Sequence, residues 1–143
     1  MMIHIKITFL FIFILLVACT NDIGNQNESD SVTQSKDPKV LLANAKEKQR
    51  IGAYEEAVKI LNIAVKIDPK FISAYNQMGL VFFEADKKNE SVEAFKKAID
   101  IDPENLNSRL GLGKTYSMIT RNDLAVEQYL KAAKIKPNDT DIY

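Results

Sequence analysis

Three of the four prolines of this 143-residue chain recur at a fixed interval of 34 residues. Pro69, Pro103 and Pro137 stand in the similar segments KIDPK, DIDPE and KIKPN. Ahead of each proline a small residue, a large apolar residue and an alanine recur at the same spacing: Ala57-Leu61-Ala64, Ser91-Phe95-Ala98 and Ala125-Tyr129-Ala132. A repeated unit this short cannot bury its own apolar face, so the copies must stack around a continuous core.

Each copy divides into two amphipathic halves, because apolar residues recur at three- and four-residue spacing in both. The spacing predicts helices near 39–51, 54–67, 72–85, 89–101, 106–119 and 123–135. Each proline lacks an amide proton and disfavours helix in the residue before it, so it ends the second helix of its copy. Asn89 and Asn122 are the expected N-terminal caps of two second helices.

The period and pattern resemble the tetratricopeptide repeat, a helix–turn–helix unit. On that resemblance the units are 38–71, 72–105 and 106–139, and residues 140–143 begin an incomplete fourth. The second unit matches the signature best, the third departs at Arg109, and the first carries Asn44 and Lys48 in apolar places. The resemblance implies an all-α fold, a right-handed α-solenoid of three repeats. Small residues such as Gly79 and Gly113 would let the two helices of a unit approach closely.

The first 20 residues resemble a bacterial lipoprotein signal. Lys6 precedes an apolar run at 7–17, which has the length of a signal-peptide core and is too short for a spanning helix. The sequence LVAC at 16–19 resembles a lipobox, which implies cleavage after residue 18 and acylation of Cys19. The alternatives are an uncleaved anchor and an ordinary secretory signal. Each places the repeats outside the cytoplasm. The lipoprotein interpretation holds them at the bacterial cell envelope, where Thr20 favours the outer membrane if there are two.

A polar segment links the signal to the repeats. Residues 19–37 comprise the lipidated Cys19 and a tether rich in Asn, Ser, Gln and Asp. Such a composition cannot bury enough apolar surface to fold, so a disordered tether is expected. The lipid on Cys19 would hold the repeats near the membrane, because two or three acyl chains anchor a protein stably.

The mature chain would lack the usual catalytic side chains. His4 is the only histidine and Cys19 the only cysteine, so removal of residues 1–18 and acylation of Cys19 leave no free imidazole or thiol. This excludes Ser–His and Cys–His nucleophiles, His- or Cys-built zinc sites and disulfides. We therefore expect no enzyme activity, metal or cofactor. Nucleic acid is not an expected partner either, because 19 basic and 19 acidic residues give no basic excess.

Two further patterns have ordinary explanations. The segment GLGKT at 111–115 reads like the end of a phosphate-binding loop, but Ser108 stands where that loop needs glycine, and the segment lies in a predicted helix. The carboxylates Glu55, Glu56, Asp100 and Asp102 fall at helix ends and on solvated faces, so an acid–base pair is not expected.

In the tetratricopeptide family the first helix of each unit lines a concave groove. The resemblance implies that a partner's peptide or helix binds there, although some of these residues would serve only to pack the helices. The predicted groove residues are Leu42, Lys46, Gln49, Arg50, Asn76, Leu80, Phe83, Leu110, Lys114 and Met118; the same repeat positions also hold Lys39, Ser73, Glu84, Asn107 and Ser117. The family's clamp for a C-terminal carboxylate is not expected, because its Lys, Asn, Asn, Lys and Arg are replaced by Leu42, Lys46, Gln77, Asn107 and Gly111.

The sequence thus predicts a membrane-anchored, non-catalytic scaffold that binds a protein or peptide at the cell envelope. The alternative is a structural lipoprotein that forms a homo-oligomer through its last full helix. That helix carries an apolar set with no complete helix after it in the sequence: Leu124, Ala125, Val126, Tyr129, Ala132 and Ala133. A truncated relative of a longer repeat protein would have the same feature.

Overall fold

A computed structural model describes residues 35–135, which form six helices and no strand. The helices are α1 (Pro38–Arg50), α2 (Tyr54–Ile67), α3 (Ile72–Glu84), α4 (Lys88–Ile101), α5 (Leu106–Met118) and α6 (Asn122–Ile135). Each predicted helix is present, and its ends lie within one residue of the predicted ones. The expectation of an all-α repeat fold is confirmed.

Packing follows the repeat. Within each unit the first helix packs on the second, as α1 on α2, α3 on α4 and α5 on α6. Between units α2 packs on α3 and α4 packs on α5, while the first helices also meet, α1 with α3 and α3 with α5. The three first helices therefore lie side by side and form a common face. All six belong to one compact unit that begins at Lys36.

The turn inside each unit passes through a left-handed residue at one repeat position. Gly52 has φ 78°, Asp86 has φ 61° and Thr120 has φ 59°. Glycine adopts this conformation without cost and aspartate tolerates it, whereas β-branched threonine is strained there. The first unit, although it has the loosest sequence, thus has the least strained turn.

The side chains that cap helix N-termini are not the two that were expected. The carboxylate of Asp37 accepts a hydrogen bond from the Lys39 amide at the start of α1, and the Asn105 side chain accepts one from the Ser108 amide at the start of α5. The prediction that Asn89 and Asn122 are caps is wrong, because both lie inside their helices. The second helices begin directly after the left-handed turn, so the capping position falls one or two residues earlier than the asparagine.

A single aromatic ring joins the second and third units. Phe95 of α4 is 2% exposed. A Cβ built on Gly79 of α3 would lie 2.6 Å from its ring, and one on Gly111 of α5 would lie 2.4 Å from it. Both distances are far below van der Waals contact, so the ring occupies the space that these two glycines leave. Gly113 accommodates the Tyr129 ring in the same manner.

Arg109 is held by polar contacts at the repeat position where the second unit has Tyr75. Its guanidinium donates hydrogen bonds to the Pro103 carbonyl and to the Gln128 side chain. Gln128 is buried, so the pair replaces an apolar contact by hydrogen bonds and keeps α5 attached to α6.

Several predictions concern parts of the chain outside residues 35–135. These are the signal peptide at 1–18, Cys19, nearly all of the tether, Pro137 and the incomplete unit at 140–143. Among the helices described above, none is long and apolar enough to cross a membrane.

Candidate functional site

A cavity of about 480 Å³ opens on the face formed by the first helices. Its walls come from α1, α3 and α5, and its floor includes the buried Phe95 of α4, whose ring packs against Gly111. The lining residues are Leu42, Lys46, Ser73, Asn76, Gln77, Leu80, Phe95, Asn107, Leu110, Gly111 and Lys114. We call this cavity the concave groove.

One leucine from each first helix forms an apolar stripe in the concave groove. Leu42 and Leu110 are half-buried, and Leu80 between them is 45% exposed. Exposed leucines on a rigid surface can be covered by a partner's apolar side chains, and covering them is favourable by roughly 25 cal/mol per Å².

The charge of the concave groove is positive. Among the described residues that line it, Lys46 and Lys114 alone are charged, and both are exposed. The Lys114 ammonium lies 4.9 Å from the centroid of the Phe83 ring, while the Lys88 ammonium lies 4.4 Å from the same centroid. Phe83 thus carries two cations at the edge of the groove, an arrangement that orients Lys114 through cation–π attraction.

Polar side chains along the groove are held by one another. Asn76 donates to Asn105 at 3.2 Å and accepts from the Ser108 hydroxyl at 2.7 Å, and Gln77 donates to Gln49. These bonds link neighbouring first helices and fix their spacing. Ser73 and Asn107 are exposed in the groove, where they can exchange hydrogen bonds with the backbone of a bound segment.

The structure brings six of the ten predicted groove residues together and leaves four outside the cavity. Those that line it are Leu42, Lys46, Asn76, Leu80, Leu110 and Lys114. Gln49 accepts a hydrogen bond from Gln77, and Arg50 forms an ion pair with Glu47. The Phe83 ring is covered by two lysine ammonium groups, and Met118 is 59% exposed. These four lie towards the C-terminal ends of their helices.

Sequence reasoning did not select Gln77, Phe95 or Gly111 as groove residues. A sequence signal for two of them was the glycine itself: a glycine in a first helix leaves room for a large side chain of a neighbouring helix, and the Phe95 ring fills that room at Gly111. A helix-by-helix assignment could not find this, because Phe95 belongs to a second helix.

The structure does not support a phosphate-binding loop at the segment GLGKT. The segment 111–115 lies within α5, and the Thr115 hydroxyl is fully buried and donates to the Gly111 carbonyl. A phosphate-binding loop there is therefore excluded. Between residues 35 and 135, no three Asp, Glu, His or Cys side chains are grouped to hold a metal ion.

The fold is similar to that of several solved structures. The crystal structure of MamA is 27% identical, with TM-score 0.70 over 77% of this chain and 64% of that chain; this chain thus spans less than two thirds of that one. The Arabidopsis OM64 TPR domain is 18% identical, with TM-score 0.69 over 73% and 87% of the two chains. The first TPR of Spaghetti (RPAP3), bound to an HSP90 peptide, is 16% identical, with TM-score 0.70 over 76% and 86%. No significant match was found among curated proteins.

Family models agree with the fold. A model described as TPR repeat matches residues 50–86, and a model described as tetratricopeptide repeat matches residues 72–105 and 106–139. Together with the paired helices and the glycine–aromatic contacts, these matches show that the chain belongs to the tetratricopeptide repeat family.

Proposed function

We propose that this protein is a membrane-anchored, non-catalytic scaffold that binds a segment of another protein in the concave groove. Tetratricopeptide repeat proteins are generally interaction modules without catalysis. The observation that carries the proposal for this chain is the groove itself, which combines a partly exposed leucine stripe with two exposed lysines on a face where side-chain hydrogen bonds link the first helices.

The chemistry of the groove favours a segment that alternates apolar and acidic residues. Leucine side chains of the groove would cover the apolar residues, and Lys46 and Lys114 would pair with carboxylates. The peptide bound by the RPAP3 domain, SRMEEVD, is acidic. In the present chain the residues of the carboxylate clamp are absent, so the proposed ligand is an internal segment and not a free C-terminus.

The proposed location rests on the N-terminal sequence. The apolar run at 7–17 and the sequence LVAC at 16–19, which overlaps its end, support acylation of Cys19 and attachment to a bacterial envelope membrane. A polar tether would then place the groove outside the cytoplasm, within reach of other envelope proteins.

Photo-crosslinking in cells tests the groove. A photoreactive phenylalanine is placed at Asn107 in the groove, and at Lys134 on the exposed side of α6 as the matched control. We expect an adduct with a distinct protein from position 107 and none of that mass from position 134. The double variant Leu80→Glu/Lys114→Glu should abolish the adduct, because it removes apolar contact and reverses one charge. An adduct that persists in this variant would overturn the groove assignment.

A second candidate function is self-association through α6. Val126 and Leu130 of this helix are 56% and 54% exposed, which is unusual for two large apolar residues one turn apart on one helix. Sedimentation velocity distinguishes this role. If it holds, the protein forms an oligomer that Val126→Asp/Leu130→Asp dissociates, whereas Leu80→Glu/Lys114→Glu has no effect. A monomer at high concentration excludes it. Tyr129 is unsuitable for this test because its ring packs on Gly113.

A further inference from the structure

One repeat position supplies both charges of the concave groove. The ninth residue of each unit is Lys46 in α1, Leu80 in α3 and Lys114 in α5. All three line the groove and are exposed. Because α3 lies between α1 and α5 and packs on both, these equivalent residues form a row across the first helices. We call this order of cation, leucine and cation the cross-helix row.

An apolar centre lies between the two cations. One helical turn before the cross-helix row, the fifth residue of each unit is Leu42, Asn76 and Leu110, and all three line the groove. Asn76 is held by hydrogen bonds to side chains at the start of α5. The two leucines of this second row therefore join Leu80 as the apolar surface open to a ligand.

The two cations of the cross-helix row are available to a partner. Between residues 35 and 135, neither the Lys46 nor the Lys114 ammonium forms an ion pair with a carboxylate. Lys114 lies over the Phe83 ring, with its ammonium 4.9 Å from the ring centroid, and an aromatic ring orients a cation without neutralising it. Two carboxylates of a ligand would thus each gain a cation without displacing an acidic residue of this chain.

The spacing of the helices sets the spacing of those carboxylates. Packed helices lie about 8–10 Å apart, so Lys46 and Lys114, two helices apart, are separated by roughly 16–20 Å at the backbone. An extended chain advances about 3.3 Å per residue and points alternate side chains to the same side. Residues six positions apart in an extended ligand therefore face the same way and span roughly 20 Å.

The polar residues of the groove favour an extended ligand over a helical one. Ser73 and Asn107 line the groove and are exposed. An extended segment has backbone N–H and C=O groups that need hydrogen-bond partners, whereas a helix pairs most of its own. Both side chains can donate and accept hydrogen bonds, so they suit an extended backbone.

We propose that the concave groove selects an extended segment with two acidic residues six positions apart and apolar residues at the two positions between them that face the same side. The outer carboxylates pair with Lys46 and Lys114, and the apolar side chains cover Leu80 and the leucines of the second row. The inference rests on the proposed function of the groove, and it adds the order and spacing in which the ligand presents its charges.

The test compares two peptides of identical composition and charge, ETLTLTE and LTETETL, with both ends blocked. Amide shifts in two-dimensional NMR report their binding to the compact unit Lys36–Tyr143, which contains all six helices. We expect shifts centred on Leu80 and Asn107, and roughly tenfold tighter binding of ETLTLTE, as for two exposed ion pairs gained together. Equal binding of both peptides in the groove would overturn the spacing and leave the groove a binding site. Absence of groove shifts with both would also overturn the inference, while the crosslink from position 107 tests the groove function separately.

Variants of the cross-helix row test its order. Lys46→Leu/Leu80→Lys/Lys114→Leu inverts the row at exposed positions and should reverse the preference to LTETETL, with helix content unchanged by circular dichroism. Lys114→Met alone should weaken ETLTLTE binding about threefold and leave LTETETL binding unchanged. Lys134→Met removes the same charge from an exposed position of α6 and should change neither. A preference for ETLTLTE that persists in the inverted row, or equal weakening by Lys114→Met and Lys134→Met, would refute the assignment.

Discussion

At the scale of single residues, the repeat imposes one backbone conformation on three different side chains. Residues 52, 86 and 120 all have positive φ, but only the first is glycine. The sequence signalled this turn at Gly52 alone, because neither Asp86 nor Thr120 marks a left-handed position as glycine does. Arg109 was likewise visible as a departure from the pattern, whereas its hydrogen bonds to Pro103 and Gln128 depend on groups that only the packed helices bring together.

Exchanging the residue types at two of these turns should change stability in opposite directions. Thr120→Gly is expected to raise the free energy of unfolding by about 1 kcal/mol, because it relieves a left-handed β-branched residue, and Gly52→Thr to lower it by about the same. A Cβ on Gly52 meets nothing within 4 Å, so its cost would come from the backbone alone. Urea unfolding followed by circular dichroism measures both.

Thr120→Ala is the control for this pair. Alanine shares the unfavourable left-handed conformation, so it should not reproduce the gain. Equal stabilisation by alanine and glycine would show that the threonine side chain, and not its φ, is the source of the effect.

At the scale of helices, the sequence predicted the helix ends, which follow from periodicity. It missed features that depend on how the helices connect and pack. Helix ends came out within one residue because each unit repeats the same proline, turn and apolar spacing. The prediction that Asn89 and Asn122 are caps was wrong, because these second helices begin one residue earlier than the pattern indicates, directly after the left-handed turn. The role of Phe95 between α3 and α5 required knowing which helices are neighbours.

The Phe95 contact predicts that Gly111 cannot be enlarged. Gly111→Ala should lower the free energy of unfolding by roughly 1–3 kcal/mol through overpacking, although the same change in a free helix would be favourable by about 1 kcal/mol. Denaturant unfolding checks the sign. Phe95→Leu should reduce the penalty of Gly111→Ala in a double-mutant cycle, and Ser117→Ala on the exposed side of α5 should be nearly neutral. Stabilisation by Gly111→Ala would contradict the packing.

An ion pair between α1 and α2 predicts a pH dependence. Lys48, which occupies an apolar place in the repeat pattern, lies 2.6 Å from the Glu56 carboxylate. Its hydrogen bond and charge lower the pKa of Glu56 below 4.5 in the folded protein. The folded state therefore favours the ionised form, and the stabilisation is present above pH 4.5 and lost as pH falls through the lower folded value.

Comparison with Glu56→Gln tests this assignment. The wild type should be slightly more stable than the variant at pH 7, since the pair is exposed, and the difference should vanish at a pH below the folded pKa. The background Lys48→Met should remove the pH-dependent difference. A difference that grows towards acid would contradict the sign of the shift.

At the scale of the whole molecule, the number of repeats and the order of the helices were predictable, because prolines and small residues recur every 34 residues. The concave groove was not predictable in detail, since its floor depends on a departure from the period: Gly111 leaves the space into which the Phe95 ring packs. The fold follows from what the repeats share, and the candidate binding surfaces follow from where they differ.

The proposed anchor makes the last prediction, which concerns where the repeats reside. Cys19→Ser removes the thiol that would carry the lipid, so acylation and the cleavage that follows it should fail. We expect the repeats to move from the membrane fraction to the soluble fraction, or an uncleaved precursor to accumulate, as seen by fractionation and by mass on denaturing gels.

Metabolic labelling with a palmitate analogue separates the lipid from any other route to the membrane. The wild type should incorporate the label and Cys19→Ser should not, while Thr20→Ser beside it should label normally. The concave groove would remain intact in the Cys19→Ser protein, because Cys19 lies outside the unit that begins at Lys36. Purified soluble repeats should therefore still form the groove adduct when mixed with envelope proteins. Membrane association of the processed, unlabelled Cys19→Ser protein would refute lipid anchoring.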